Sequence, residues 1–244
     1  MAINKILKPK HNYDLIRLGK NFDGGYLVGE NSVRGADYLI SFGINEDWSF
    51  EKDFKSINKD VMIYCYDDRT SKKFLIKKIL DTFIALPYKL NIKKLFERFV
   101  NFFDYLVFSK KANFNYKVVS YGDLSEIIKD KKNIFLKIDI EGYEFRLLDE
   151  ILENQEKIVG LAIEFHNCDL LSSKLYNFVE RFKLNLIHIH PNNSAPVDKD
   201  GLPWVLELSF EKNPKILDGI NILPHPLDQK TLSDYDDINL NFND

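Results

Sequence analysis

Acidic side chains follow an apolar segment of the chain, at a position where they could contact a ligand. Asp139 and Glu141 come after the apolar run of residues 134–138, and Gly142 follows them. The next residues place apolar side chains at helical spacing, so a buried strand is predicted to end where a helix begins. Open α/β sheets bind ligands at the carboxyl ends of their strands. Both carboxylates are therefore candidates for ligand binding or proton transfer.

Histidines near further carboxylates could act as a general base. Residues 158–163 form an uninterrupted apolar run, typical of a strand buried on both faces, and they lead to Glu164 and His166. A later predicted strand ends at His190. Histidine can deprotonate a hydroxyl group near neutral pH, and a neighbouring carboxylate orients it. We predict His166 or His190 as the base, with Glu164 or Asp139 as its orienting partner.

A polar loop follows the strand that carries His190. Asn192 and Asn193 in this loop offer paired donors and acceptors that suit sugar hydroxyl groups, so we expect them, with Glu141, to contact an acceptor. His188 points to the same side of its strand as His190 because strands have a two-residue period. A buried histidine is usually a structural group, and this is the role expected for His188.

The motif K-I-D-I-E-G-Y-E at residues 137–144, followed by an amphipathic helix, resembles the signature of the FkbM-like family of S-adenosylmethionine (SAM)-dependent methyltransferases. Other segments share the resemblance: R-L-G-K-N-F-D-G-G-Y-L-V (17–28), S-F-G-I-N-E-D-W-S-F-E (41–51), I-E-F-H (163–166) and H-I-H-P-N-N (188–193). The resemblance implies a Class I methyltransferase fold with SAM as methyl donor. It also implies a hydroxyl group of a sugar, a sugar-derived small molecule or a glycan as acceptor, in capsule or surface-polysaccharide biosynthesis.

The turn after the first core strand distinguishes between cofactors. It reads Gly43, Ile44, Asn45, Glu46, Asp47. A dinucleotide site needs three glycines for a pyrophosphate, whereas this turn has one glycine and two acids that repel phosphate. SAM carries a sulfonium and an ammonium group and no phosphate, so the acids would attract it. We therefore predict cofactor contacts from this turn; the alternative is that the acids only begin a helix whose dipole favours them.

Two further acids are candidates for contacts with the nucleoside of the cofactor. The predicted strand at residues 61–66 ends in Asp67 and Asp68, where Rossmann-type folds bind ribose hydroxyls. Asp67 is the predicted ribose ligand, and Asp68 could equally cap a helix. The family resemblance brings Asp123 near the adenine, although a helix N-cap role would also explain this residue.

Adjacent glycines in the segment from Asp23 to Tyr26 predict a tight turn feeding a strand. This turn is either an ordinary hairpin or a lid over the ligand. The family resemblance favours the lid, with Gly25 and Tyr26 in contact with the cofactor.

The segment at residues 69–111 differs in charge from the rest of the chain. It contains 11 Lys or Arg and three acids, although the whole chain has a net charge of −3. Apolar residues recur at helical spacing, and Pro87 would divide them into two helices. The prediction is an inserted basic helical hairpin. Its lysines could form a solvated face, or a platform for an anionic acceptor or a peripheral membrane surface.

These elements predict a single α/β domain over residues 1–244. The sheet should be Rossmann-like and mostly parallel, with strands at 38–42, 61–66, 116–120, 134–138, 158–163 and 186–190. The last strand, 204–210, should be antiparallel because only a loop separates it from its predecessor. Residues 227–244 are expected to be a peripheral acidic tail.

Composition limits the classes of function. A net charge of −3 argues against a surface devoted to nucleic acid, and no apolar run approaches the ~20 residues of a membrane span. We expect a cytoplasmic protein whose two cysteines are free thiols.

Three alternatives stay open from the sequence. A nicotinamide-dependent Rossmann oxidoreductase is disfavoured by the single-glycine acidic turn, and a non-catalytic binding module on the same fold would keep the sheet without the chemistry. Asp139 with Glu164 or His166 could also hold Mg²⁺. No tight ligand spacing supports that ion, so the metal is left unassigned.

Overall fold

The computed structural model describes residues 3–86 and 91–243. Its strands in chain order are β1 (Asn12–Tyr13), β2 (Leu15–Leu18), β3 (Tyr26–Gly29), β4 (Tyr38–Phe42), β5 (Met62–Tyr66), β6 (Asn113–Asn115), β7 (Ile134–Ile138), β8 (Ile158–Phe165), β9 (Asn185–Pro191), β10 (Leu206–Glu211) and β11 (Ile216–Leu217). The α-helices are α1 (Glu30–Gly35), α2 (Ser49–Ile57), α3 (Lys72–Ala85), α4 (Ile92–Phe108), α5 (Asp123–Ile127), α6 (Leu148–Glu153) and α7 (Cys168–Arg181). Short 3-10 helices lie at Lys5–Leu7, Glu144–Arg146 and Gln155–Lys157.

A seven-stranded sheet forms the centre of the fold, in the order β6-β5-β4-β7-β8-β10-β9. Strand β10 is antiparallel to both of its neighbours, and the other pairings are parallel. The chain leaves β4 towards one edge of the sheet and returns to β7 on the other side of β4. This reversal is a topological switch point, where open α/β sheets bind ligands. The predicted α/β fold class is confirmed.

The central strands are buried because helices cover the sheet. Every residue of β7 is buried, including the charged Lys137. One apolar cluster contains Leu136 and Ile163, whereas Phe135 packs in a second cluster with Phe54. Neighbouring residues of β7 thus point into different cores, as the two-residue period of a strand requires.

A separate β-hairpin, β2–β3, packs on the sheet. Strands β2 and β3 pair antiparallel, and β3 contacts β8, β9 and β10. Tyr26 begins β3 and is 2% exposed. The hairpin therefore brings this side chain against the carboxyl-end region of the sheet.

The edge strand differs from its prediction. A strand was expected at residues 116–120, but β6 covers Asn113–Asn115 and pairs with β5 alone. Tyr116 and Val118 are exposed, so their alternation with Val119 does not mark a strand with one buried face. The β-branched residues have another role here, because Val118 and Val119 line a cavity.

The insertion consists of two helices, α3 and α4, as predicted. The expected break at Pro87 lies outside the described residues. Asp68 does not cap α3, since the Ser71 side chain accepts from the Phe74 N–H instead. Within the described residues no helix is long and apolar enough to cross a bilayer.

The C-terminal segment, predicted to be a peripheral acidic tail, makes specific contacts with the domain. Ile3 donates its N–H to the Asn241 carbonyl at 2.7 Å and accepts from the Asn243 N–H at 2.9 Å. Leu240 and Phe242 pack against the main core. These long-range contacts fix a segment whose acidic, weakly patterned sequence gives no local sign of order.

Candidate active site

A cavity of about 560 Å³ lies at the carboxyl ends of the parallel strands. Small-molecule sites typically occupy about 300–1,000 Å³. Four segments that follow β4, β5, β6 and β7, together with the end of β8, contribute to its wall. Its lining contains more acids than bases: Asp23, Asp47, Asp67, Asp68, Asp139, Glu141 and Glu164, against Lys20, Arg69, Lys117 and Lys137.

Gly43 allows the two strands at the switch point to end close together. Its φ is +74°, in the left-handed region that favours glycine. A Cβ atom at this position would lie 1.6 Å from the Asp139 carbonyl oxygen. A glycine is required here by both the conformation and the space, and Gly43, Asn45 and Asp47 of the turn after β4 line the cavity.

Asp139 is held in place by two side chains. The Tyr26 hydroxyl donates to Asp139 Oδ2 at 3.1 Å, and Lys137 Nζ lies 3.6 Å from the same oxygen. Lys137 also donates to the Gly43 carbonyl at 3.0 Å. Burial opposes the charge of Lys137, but nearby carboxylates, with Asp139 first, raise its pKa above the ordinary value. Lys137 therefore stays charged and joins the ends of β4 and β7.

His166 is oriented by Glu144, a carboxylate that the sequence analysis did not assign. Glu144 Oε1 lies 3.0 Å from His166 Nδ1 and accepts the Ile140 and Gly142 N–H groups. The expected partners, Glu164 and Asp139, are near but are not hydrogen-bonded to the ring. Burial opposes the charged imidazole, yet the hydrogen bond and charge of Glu144 raise the pKa of His166 to about 9.

The second nitrogen of His166 lies near a residue of the cavity lining, although His166 itself is not part of that lining. Its Nε2 lies 3.7 Å from Glu141, whose side chain is 86% exposed. Glu141 has φ +56°, which is costly for a residue with a Cβ atom and is found preferentially at functional sites. Because Glu144 occupies Nδ1, Nε2 is the nitrogen that can exchange a proton with a ligand.

Glu164 is a buried carboxyl group on the same wall. Asn192 Nδ2 donates to its Oε1 at 2.8 Å. Burial, followed by the charges of Asp139 and Glu207, raises the pKa of Glu164 well above its ordinary value. Asn192 was expected to contact the acceptor, but it is 7% exposed and positions Glu164 instead.

Asp139, Glu164 and His166 form a compact group that includes three potential metal ligands. One ligand atom from each lies within 4.8 Å of the others. The donor set is two carboxylates and one imidazole. Imidazole is less suited to Mg²⁺, which prefers oxygen ligands, than to Mn²⁺ or Zn²⁺.

Asp67 lines the cavity at the end of β5, on the same wall as Asp139. Its Oδ2 accepts the Asn45 N–H at 2.7 Å, and its Oδ1 accepts the Arg69 and Thr70 N–H groups. A carboxylate has about four acceptor sites, so Asp67 can still accept from a ribose hydroxyl. These bonds also tie the turn that contains Asn45 to the loop after β5.

The two acids of the turn after β4 are not free charges, contrary to expectation. Glu46 forms an ion pair with Lys78 and lies outside the cavity lining. Asp47 does line the cavity, but Lys20 Nζ lies 2.9 Å from it. Burial opposes the charge of Asp47, and its bonds to Lys20 and Ser49 nevertheless lower its pKa. Two further carboxylates of the lining, Asp139 and Glu141, lie beside Lys137 and His166, respectively.

Three residues that were predicted to contact the cofactor are not in the cavity lining. Gly25 is not in the lining, and a Cβ atom there would meet the Lys20 carbonyl at 2.4 Å. Tyr26 contacts Asp139, as described above, so its role is to position that carboxylate. Asp123 pairs with Lys117 and accepts the Ser120 N–H at 2.8 Å, which orders the loop whose residues line the cavity. The turn at residues 23–24 does line it.

His190 lies in a separate cluster, away from the cavity lining. Its Nδ1 is 3.5 Å from Glu207 and its Nε2 is 3.3 Å from Asp237, in the C-terminal segment. Burial opposes the charge, but these two carboxylates raise the pKa of His190 to about 10. The side chain of His190 is only 3% exposed, against 18% for that of His166, and this burial argues against His190 as a base. His188, stacked beside it, binds Asp228 at 2.8 Å.

Asn193 is likewise committed to the C-terminal segment. Its Nδ2 donates to the Leu232 carbonyl at 3.0 Å, and its Oδ1 accepts the Leu232 N–H at 2.8 Å. A contact with an acceptor was expected here. The amide instead fixes the segment that covers His188 and His190.

Sequence reasoning missed Glu144 and Lys137 as site residues, although both had a signal. Lys137 is a charged residue within an otherwise apolar strand, which indicates a buried ion pair. Glu144 closes the K-I-D-I-E-G-Y-E motif and is fully buried. A buried carboxylate near a strand end is a candidate partner for a histidine.

Comparison with protein families finds no match for the chain, and comparison with curated proteins finds none either. Solved structures do match, and all of those named here are methyltransferases or fibrillarin. TrmK of M. capricolum, solved with S-adenosylhomocysteine, is 15% identical, with 79% of this chain and 70% of that chain covered and a TM-score of 0.38. Precorrin-6y C5,15-methyltransferase from Geobacter metallireducens is 13% identical, with 75% and 85% covered and a TM-score of 0.39.

A fibrillarin from Methanococcus jannaschii is 7% identical, with 82% of each chain covered and a TM-score of 0.41. The identities are low throughout. A statement about activity therefore has to rest on the cavity and its side chains.

Proposed function

We propose that the protein is a SAM-dependent methyltransferase that acts on a hydroxyl group. The observation that carries the proposal is the acidic cavity at the switch point, whose lining brings Gly43, Asp67, Asp139 and Glu164 together. Its excess of carboxylates favours a ligand with positive charge over one with phosphates. The resemblance of residues 137–144 to the FkbM-like signature points to the same ligand.

The residues present fit SAM. Asp67 keeps acceptor capacity for the ribose hydroxyls, and the turn from Gly43 to Asn45 borders the same space. Asp139 and Glu141 offer negative charge for the sulfonium and ammonium groups. When bound, SAM supplies a methyl group on a cationic sulfur that leaves as a neutral thioether.

His166 is proposed as the general base. Glu144 fixes the ring through Nδ1, so that Nε2 can take the proton of an acceptor hydroxyl. With a pKa of about 9, the free protein holds this imidazole protonated at neutral pH. Glu144 is the main cause of this raised pKa and Glu164 and Asp139 add to it, so a cationic ligand beside the latter two would lower the pKa of His166. Binding of the methyl donor should therefore release a proton and activate the base.

The acceptor proposed is a sugar or a sugar-derived small molecule, with surface-polysaccharide biosynthesis as the setting. Support comes from the resemblance to the FkbM-like family and from the polar cavity wall. Asn192 and Asn193 give no support for a sugar acceptor, because both side-chain amides form hydrogen bonds within the protein. RNA is the competing acceptor class, and the chain's net charge of −3 disfavours it.

Ligand titration tests the cofactor. Calorimetry with SAM, S-adenosylhomocysteine and NADH should show saturable binding of the first two and none of NADH. Repeating the SAM titration in buffers of different ionisation enthalpy should show proton release. Saturable NADH binding without SAM binding would instead establish the oxidoreductase, and SAM binding without transfer to any acceptor would favour a binding module.

Transfer of a labelled methyl group tests the acceptor. Nucleotide sugars, glycans and RNA should be compared under the same conditions. Labelling of a sugar hydroxyl supports the proposal, whereas labelling of RNA alone would contradict it.

A metal-assisted route is the second candidate, favoured by the proximity of Asp139, Glu164 and His166. In that route His166 Nε2 would be a ligand and could not act as the base. Dialysis against EDTA separates the two routes. Unchanged transfer supports His166 as the base, and a loss that Mg²⁺ or Mn²⁺ restores would assign the three residues to a metal.

A further inference from the structure

The helices of the insertion expose an unusual amount of apolar surface. On α4 the exposed side chains are Ile92, Phe96, Phe99, Val100, Phe103 and Val107. These positions are spaced i, i+4, i+7, i+8, i+11 and i+15, so they form one stripe about 100° wide along the helix. Phe96 is 68% exposed and Phe103 is 61% exposed. We call this set the α4 stripe.

The opposite side of α4 already packs against the protein. Tyr105 and Phe108 are buried, and the Tyr105 ring lies 5.6 Å from that of Trp48. The α4 stripe is therefore a second apolar face, which the core does not need. Helix α3 repeats the pattern, with Ile76, Leu80, Phe83 and Ile84 exposed at spacing i, i+4, i+7 and i+8.

The charge around these stripes is strongly positive. Residues 69–111 carry 11 Lys or Arg and three acids. Two of the acids are paired, because Asp104 binds Lys52 at 2.8 Å and Glu97 lies 3.9 Å from Lys93. The segment thus has a charge of +8, and the remainder of the chain has −11. An anionic surface would attract the insertion and repel the rest.

We propose that α3 and α4 bind the surface of a membrane containing anionic lipids. Exposed Phe, Leu and Ile side chains beside lysines are the features of helices that lie in a membrane interface. A second copy of the chain fits less well, because self-association through this face would bring two segments of +8 together. The proposal does not depend on the activity of the cavity.

Polar side chains on the second half of α4 connect this surface to the candidate active site. Asn101 Nδ2 donates to the Glu46 carbonyl at 3.2 Å, and Asp104 accepts from Trp48 Nε1 at 2.7 Å. Glu46 and Trp48 flank Asp47, which lines the cavity. Membrane binding would therefore hold the cavity at a fixed distance from the lipid surface.

Vesicle co-sedimentation of the full chain tests the proposal. We expect binding to vesicles of phosphatidylcholine with phosphatidylglycerol and none to phosphatidylcholine alone. Raising NaCl from about 0.1 M to about 0.5 M should weaken it, because salt screens the charges. Absence of binding to the anionic vesicles would overturn the proposal.

Variants with matched controls show which surface is responsible. Phe96→Ser with Phe103→Ser, and separately Lys93→Glu with Lys94→Glu, should each reduce the partition coefficient at least about tenfold. Two control pairs should bind as wild type: Leu170→Ser with Ile220→Ser, at exposed apolar sites elsewhere, and Lys132→Glu with Lys199→Glu. Circular dichroism checks that each variant is folded.

Equal loss in the control pairs, or none in the α3–α4 variants, would contradict the assignment. A dimer in size-exclusion chromatography that Phe96→Ser with Phe103→Ser dissociates, without vesicle binding, would assign the surface to a second copy instead.

Discussion

Two histidine–carboxylate clusters lie along the same end of the sheet, and the one around His166 includes Glu141, a residue of the cavity lining. In the first, Glu144 holds one nitrogen of His166 and leaves Nε2 beside the exposed Glu141. In the second, Glu207 and Asp237 face both nitrogens of His190, and the C-terminal segment closes over the ring. The His166 side chain is 18% exposed and that of His190 is 3% exposed, so we propose catalysis for the first and a structural role for the second.

Replacing each histidine gives the largest expected contrast. His166→Gln should lower kcat for methyl transfer by about 10²–10⁴-fold, and His190→Gln should change it less than about threefold. The physical reason is that Nε2 of His166 lies beside Glu141 of the cavity lining, whereas His190 is buried under the C-terminal segment. Initial rates at saturating SAM measure both effects. A loss in His190→Gln as large as that in His166→Gln would erase the distinction between the clusters.

Removing the charge of the orienting carboxylate sharpens the role of His166. Glu144 stabilises the imidazolium, so Glu144→Gln should lower the pKa of His166 from about 9 towards its ordinary value of 6.5. The rising limb of kcat/KM against pH should then move to lower pH. Asp237→Asn is the matched change at His190 and should leave the profile in place. If Glu144→Gln does not shift the pH profile, the ionisation of His166 does not control the rate.

The second cluster should contribute to stability. Asp228→Ala leaves the buried His188 without its partner and should lower the free energy of unfolding by about 1–3 kcal/mol. Asp236→Ala, at a fully exposed side chain in the same segment, should change it by less than about 0.5 kcal/mol. Urea denaturation measures both. Equal effects would mean that the segment is held by something other than the histidine pairs.

A smaller effect is expected in the pH dependence of stability. The folded pKa of His190, about 10, lies above its ordinary value of 6.5, so its stabilising contribution is complete below pH 6.5 and is lost as pH rises through 10. Wild type should lose more stability than His190→Gln between these values. Parallel pH curves for the two proteins would show that His190 is not charged in the folded state.

The sequence predicted the residues whose environment is local. Apolar runs located β4, β7 and β8, and the residues directly after them, Gly43, Asp139 and Glu164, reach one cavity because parallel strands end at one edge. This part of the site follows from chain direction alone.

Pairings between distant segments were not predictable. Asp237 reaches His190 only because the C-terminal segment folds back over the sheet, and the acidic sequence of this segment predicted only a peripheral tail. Lys78 reaches Glu46 from the insertion, so the charge of the turn after β4 was overestimated. In both cases the decisive partner lies more than 30 residues away in the chain. The spacing of apolar residues does not indicate which distant residues will pair.

A crystal structure with S-adenosylhomocysteine tests the central claim most directly. The account predicts that the ligand occupies the cavity between Gly43 and Asp139, with its ribose at Asp67 and its sulfur on the side of His166. A ligand seated at the His188 and His190 cluster, or a cavity that takes the pyrophosphate of NADH at Gly43 and excludes S-adenosylhomocysteine, would contradict it.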